Sequence, residues 1–219
     1  PKKDPYFLRS KKWSKKSKIY TKGSSHHLDP NGRILPFLSE RTIPAETIIV
    51  NKVMPVTVVI PSYNHHPYVG QAIQSVLDQT WQDIDLIVID DGSTDQSKTI
   101  IEDVHKKRGG FRFINRHENQ GLIRSLNEAL DLARGNLFCE LASDDFFPPD
   151  SIEKRVNFLE SNPDHIAVFG DGKRVFGNKE TESPLLDSKR RLLFDQDDPL
   201  ETLLQGVFPV FATGMFRTK

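Results

Sequence analysis

An α/β fold, with a mainly parallel central sheet flanked by helices, is what this sequence predicts, and three observations predict it. The runs VTVVI at 56–60 and IDLIVI at 84–89 are continuous and apolar apart from single polar positions, the character of strands buried on both faces. The stretches between such runs change to three- and four-residue apolar spacing, the period of one helix face. Strand and helix then alternate at the pitch of βαβ units, which requires parallel strands with helices packed over the sheet.

Order is expected from about Thr47, where IIV at 48–50 reads as a short strand ahead of 56–60. Over 68–77, Tyr68, Val69, Ala72, Ile73, Val76 and Leu77 fall on one helical face. After the strand at 84–89 come Asp90, Asp91 and Gly92, and then Ser93 with Gln96 three residues on, a capping box that opens a helix to about Lys107. Gly109-Gly110 is a turn before a third strand at 111–114. A third helix over 122–133 turns Leu122, Leu126, Ala129, Leu130 and Ala133 inward, and 137–141 is a fourth strand. Phe146, Phe147, Pro148 and Pro149 form a wall before a helix with Asp150 as N-cap and Glu153 in its first turn, and 166–169 is a later strand.

Composition narrows the class. The chain has 219 residues with 37% hydrophobic and 27% charged content and 14 phenylalanines, too apolar for a disordered chain and too charged for an integral membrane protein. Lys+Arg and Asp+Glu are equal at 30 each, but the balance hides an asymmetry. Residues 1–22 hold nine Lys/Arg against Asp4, so this arm carries about +8 and the remainder about −8. The arm interleaves its cations with Tyr6, Phe7, Trp13 and Tyr20, and it reads either as a solvated tail or as a dock for an anionic membrane surface, with no nucleic acid expected. Residues 23–44 show no period and read as linker, which makes 1–46 arm and linker and 47–219 the folded domain. The lone Cys139 supplies neither an internal disulfide nor a zinc cluster, and suits a reducing compartment; cytoplasmic placement, peripheral to the inner face of a membrane, is the expectation.

Ligands of an open parallel sheet bind beyond the carboxyl ends of its strands, where strand order reverses. After Ile60 come Pro61, Ser62, Tyr63 and Asn64, and neither a G-x-G-x-x-G nor a G-x-x-x-x-G-K-[ST] turn occurs, which argues against dinucleotide and phosphate-loop sites. Tyr63 is instead either a packed loop aromatic or a face for a nucleobase, a contact of about 1–3 kcal/mol. After Ile89 come Asp90 and Asp91; after Leu141 come Ala142, Ser143, Asp144 and Asp145. Four carboxylates around one crevice repel one another, so something positive must offset them. From each pair one carboxylate is expected to face the cleft while its neighbour caps a turn. A cleft-facing carboxylate accepts hydrogen bonds from ribose or a base edge, or holds Mg²⁺ or Mn²⁺ against diphosphate oxygens; turn chemistry alone is the competing account. The adjacent pairs His26-His27 and His65-His66 lack metal-site spacing and read as solvated loop residues, and Lys173 and Arg174 follow a strand end from which they would reach a phosphate.

The segments VTVVIPSYNHHPYVGQAIQSVLDQTWQDIDLIVIDDGSTDQS and NQGLIRSLNEALDLARGNLFCELASDD resemble family 2 glycosyltransferases, a large inverting group with the GT-A fold, and the similarity covers residues 56–176. The resemblance implies a Rossmann-like nucleotide-binding half, a nucleotide-diphosphate sugar donor, UDP first among them, and a saccharide, lipid or protein hydroxyl as acceptor. Position by position it puts Pro61 and Tyr63 at the nucleobase, Asp91 on base or ribose, and Asp90 behind it. Asp144 and Asp145 match the close of the family's D-x-D motif, whose first position is here Ser143 or Ala142. Asp145 is then the metal ligand and Asp144 the partner near ribose or donor sugar. Arg124 stands near the family's basic position, usually closer to Asn127, so that both a diphosphate contact and an exposed helix position remain open to it. The general base comes from a segment beyond the strand that 207–217 matches, which implies a base beyond Lys219; Asp171, Asp187, Asp197 and Asp198 stand in no such context. A catalytically incomplete nucleotide-sugar-binding module is the alternative.

Overall fold

In the computed structural model, residues 55–176, 179–185, 204–206 and 209–218 are described. The basic arm, the linker, the strand expected at 48–50 and the acids Asp187, Asp197 and Asp198 lie outside them. The elements run β1 (Val56–Ser62), α1 (Val69–Leu77), β2 (Ile84–Asp90), α2 (Ser97–Arg108), β3 (Phe111–Asn115), α3 (Leu122–Asp131), β4 (Leu137–Glu140), α4 (Ser151–Ser161), β5 (Ala167–Phe169), β6 (Lys173–Phe176), β7 (Lys179–Pro184), a 3₁₀ turn (Phe211–Thr213) and β8 (Gly214–Arg217).

Six strands form one sheet in the order β3-β2-β1-β4-β8-β5, while β6 and β7 pair as a separate antiparallel ribbon. The first four strands are mutually parallel, and β8 runs antiparallel to both β4 and β5. Alternation along β1 and β2 sends Val56, Val58, Ile60, Leu86 and Val88 to one face, where α1, α2 and α4 cover them with Ile73, Val76, Ile101, Ile152, Val156 and Leu159. Val59, Ile87 and Ile89 point to the opposite face, covered by Ala129 and Leu126 of α3. Both faces of the central strands are therefore dry, which is why β1 and β2 read as unbroken apolar runs.

Three helix expectations change. In α3 the buried positions are Ser125 and Ala129, whereas Leu122 and Leu130 are half exposed. Leu126 and Ala129 are the α3 side chains that pack on Val59, Ile87 and Ile89, while Leu130 borders a cavity of about 350 Å³ shared with Leu126, Phe138, Phe216 and Glu140. The box expected at Ser93 and Gln96 does not form. Asp90 Oδ1 takes the Ser93 N–H at 3.0 Å, and α2 starts later, at Ser97, whose N–H is held by Asp95 Oδ1 at 2.8 Å. Asp150 is the N-cap residue of α4, but its carboxylate pairs with Lys154 and makes no capping bond.

The connection into β4 has no room to spare. Thr57 Oγ1 accepts the N–H groups of Arg134 and Gly135 at 3.2 and 2.9 Å, drawing that turn onto β1. A Cβ on Gly135 would stand 2.5 Å from Thr57 N and 2.6 Å from Pro55 O, both backbone atoms. Gly135→Ala is expected to cost about 1–3 kcal/mol by overpacking, read as a lower midpoint in urea unfolding.

Candidate active site

The chain runs from β1 outward to β3 and then returns to the other side of β1 for β4, so strand order reverses between β1 and β4. The crevice that such a reversal opens lies beyond Ser62 and Glu140, where the β1–α1 and β4–α4 loops meet.

Hydrogen bonds stitch the β1–α1 loop to the β2–α2 loop. Asn64, with φ of 58°, donates its N–H to Ser93 Oγ at 3.0 Å and accepts Thr94 N–H on Oδ1 at 2.8 Å. The N–H of His66 reaches Asp95 Oδ2 at 3.1 Å, and that of His65 reaches Ser97 Oγ at 2.9 Å. Burial alone would raise the Asp95 pKa, but hydrogen bonds from Ser97 and His66 outweigh it and push the value down to about 2. The contribution of a depressed carboxylate is present above its unfolded pKa, ordinarily 3.8, and is lost as pH falls through the folded value. Stability is therefore expected to drop between pH 4 and about 2, by on the order of 1–2 kcal/mol from this group, and Asp95→Asn to flatten that limb in urea midpoints measured against pH. Of the solvated pair expected, His66 is exposed, with Nδ1 3.2 Å from Asp95, whereas His65 departs from the expectation: it is half-buried, with Nδ1 2.7 Å from Ser143 Oγ.

The two acidic pairs sort differently from the one-in, one-out pattern expected. In the first pair both carboxylates are buried, at 1% and 4% exposure. Asp90 holds the Ser93 turn with Oδ1, while its Oδ2 and the hydroxyl of Ser62, its register partner on β1, are buried without hydrogen-bond partners. Asp91 accepts Arg116 Nη1 at 2.6 Å and Gln120 N–H at 3.1 Å on Oδ1, and Gly121 N–H at 2.8 Å on Oδ2. Burial opposes the ionised form of Asp91, but Arg116 and the two backbone donors overcome it and hold the carboxyl below its ordinary range. Arg116 also donates to Ser125 Oγ at 2.8 Å and to Glu128, so one guanidinium joins β2, the 116–121 loop and α3. Gly92, at φ +75°, lets that loop approach: a Cβ there would meet the backbone of Glu118 and Asn119 at 2.5 and 2.7 Å.

In the second pair both carboxylates are exposed. The Asp145 N–H closes a turn onto Ala142 O at 3.0 Å, which presents Asp144 and Asp145 side by side at the crevice. Partial burial, and then the charge of Asp144, raise the Asp145 pKa. Adjacent exposed carboxylates that resist sharing negative charge suit a divalent cation, with hard oxygen ligands of the kind Mg²⁺ and Mn²⁺ take. Among the described residues no three His, Cys, Asp or Glu side chains converge, so diphosphate oxygens and water would complete such a shell.

Pro61 is half-buried in β1, and Tyr63, two residues on, is 44% exposed. Arg124 is exposed on α3, and the cation brought to Asp91 is Arg116. Arg116 immediately follows β3, so applying the strand-end rule to the third strand would have found it. Lys173 and Arg174 are exposed on β6. Gln79 was also missed as a functional support: its carboxamide donates to Ser75 O and Pro148 O at 2.9 and 2.8 Å and accepts Ile152 N–H at 3.0 Å, fixing the start of α4 behind the acidic turn.

Sheet order, reversal point and exposed acidic turn define a GT-A-type α/β domain. The chain belongs to glycosyl transferase family 2, whose model matches residues 57–218. It is 39% identical over 152 residues to an uncharacterized glycosyltransferase of Haemophilus influenzae, covering 69% of this chain and 57% of that protein. It is 33% identical over 141 residues to a chondroitin synthase of Escherichia coli, covering 64% of this chain and 20% of the synthase. The chain thus spans between a fifth and somewhat over half of these relatives. Residues 1–349 of S. aureus TarS share the fold, with a TM-score of 0.55 at 21% identity over 75% of this chain and 47% of that one; the same protein in complex with UDP gives 0.54 at 20% identity over 75% and 47%.

Proposed function

We propose that this domain binds a nucleotide-diphosphate sugar, UDP-linked in the first instance, and serves metal-dependent transfer of its sugar to a hydroxyl acceptor with inversion. The observation that carries the reading is the exposed Asp144–Asp145 turn facing the β1–α1 loop at the reversal point of the sheet. Family membership supports the transferase class, and the UDP complex of TarS supports the choice of nucleotide.

Tyr63 offers its ring to the base, and the loop that Asp91 and Arg116 fix forms the adjacent wall. Asp144 would orient ribose or donor sugar, and Asp145 would hold Mn²⁺ or Mg²⁺. A bound divalent cation supplies charge neutralisation for the departing diphosphate. The acceptor hydroxyl needs a base within hydrogen-bond reach, and we assign that role to no described carboxylate. Docking of the basic arm on anionic lipid, at a cytoplasmic membrane face, belongs to the same proposal, and loss of vesicle co-sedimentation on deleting residues 1–22 would support it.

Calorimetric titration of UDP tests the core of the reading. Binding strengthened by Mn²⁺ is the expected result; affinity indifferent to the metal would overturn the metal role. Binding with no transfer to any acceptor would favour the module that binds a nucleotide sugar without catalysing.

A further inference from the structure

The carboxylates that the proposed function relies on sit on a turn with few attachments. Leu141, the first residue after β4, is tied to β1 by its N–H on Val59 O at 2.9 Å, and Phe147, on the far side, is tied to α1 by its N–H on Ser75 Oγ at 3.1 Å. Between those anchors the Asp145 N–H closes the turn on itself, which sets its shape but not its direction. Among the described residues, one hydrogen bond joins 142–146 to another part of the molecule: the 2.7 Å contact of Ser143 Oγ with His65 Nδ1.

Burial shows why that bond matters. Ser143 is 2% exposed while its neighbours Asp144 and Asp145 are exposed, so the turn points its second residue inward and its third and fourth outward. A buried hydroxyl stripped of its partner costs desolvation, and the simplest relief is to rotate the turn until the hydroxyl meets water. Such a rotation carries both carboxylates with it. The His65 side of the contact is fixed independently of the turn: its N–H is held by Ser97 Oγ at 2.9 Å, and its carbonyl accepts the N–H groups of Tyr68 and Val69 at 2.9 and 3.0 Å. The imidazole is thus a strut from the α1 and α2 starts, across the reversal point, to the acidic turn.

We propose that His65 is a positioning residue, which aims Asp144 and Asp145 into the crevice through Ser143. The inference rests on the reading of those two aspartates as the metal and donor carboxylates, while the strut itself can be measured without metal. Two measurements on the full chain separate the two. The first is amide hydrogen exchange of peptides spanning 142–147 in metal-free protein; the second is calorimetric UDP binding with and without Mn²⁺. His65→Ala and Ser143→Ala are each expected to speed exchange in 142–147 about tenfold, the size of one lost buried hydrogen bond, with peptides from β2 and β3 unchanged. They are expected to weaken UDP binding in Mn²⁺ about five- to tenfold, and metal-free binding less than twofold. His65→Asn, which keeps a polar atom near the Nδ1 position, should restore most of both, and the double alanine variant should be no worse than either single one. Unchanged exchange in both alanine variants, additive losses in the double variant, or an asparagine variant as impaired as alanine would overturn the proposal. Faster exchange in a protein whose UDP affinity ignores Mn²⁺ would support the strut and sink the metal reading instead.

Discussion

Arg116→Ala is expected to lower stability by about 3–5 kcal/mol, because it leaves a carboxylate buried with its counterion gone. Asp91 keeps only the Gln120 and Gly121 N–H groups, and Glu128 loses its partner at the edge of α3. The damage should be directional. Residues 116–121 would detach from Gly92 while β1, β4 and the Asp144–Asp145 turn, which do not depend on the guanidinium, stay in place. Urea unfolding gives the total, and proteolysis within 116–121 under native conditions gives the location. Asp91→Asn makes a sharper comparison: it keeps an acceptor for Arg116 but removes the charge, and should cost less than the arginine deletion. Equal stability of Arg116→Ala and the unaltered chain would mean that the buried network contributes nothing.

Asp145→Asn is expected to behave in the opposite manner. Asp145 is exposed, and its charge is opposed by burial and by Asp144, so neutralising it should leave stability unchanged or slightly raised. The expected loss is functional: the gain in UDP affinity on adding Mn²⁺ disappears, and transfer by an enzyme containing this domain falls about 10²–10³-fold, the scale of removing one preorganised electrostatic contact from a transition state. EDTA on the unaltered chain should mimic the binding defect and leave the variant unaffected. A variant that retains metal-assisted binding would move the ligand role to Asp144.

Comparison of these two aspartates shows how far the sequence could be read. Apolar runs and their period place β1, α1, β2, β3 and β4 within a residue or two, because burial on both faces demands a pattern that local sequence displays. The same pattern cannot display pairing order. Nothing local in GMFR at 214–217 says that it enters between β4 and β5 and runs against both. At the site, strand-end logic marks both acidic pairs but treats them alike. What separates them is Arg116, whose approach to Asp91 depends on a loop that Gly92 admits, and both are tertiary facts. The inward hydroxyl of Ser143 and the ring of His65, 78 positions apart in the chain, meet only because strand order reverses between them.

The position of β8 also constrains the order in which the fold can assemble. Among the described residues, β5 joins the sheet only through β8, with Ala167 against Phe216 and Phe169 against Gly214. The strand that precedes it in the chain, β4, has that edge taken by β8 as well. The parallel half, β1 to β4, closes through successive short crossovers and can form while later residues are still being made. β5 has to wait for a partner synthesised more than forty residues after it, packed meanwhile against α4. During synthesis the chain therefore passes through a stage in which the parallel half of the sheet is built and its far edge is open, a stage at which Phe169 and Val168 are exposed to mispairing.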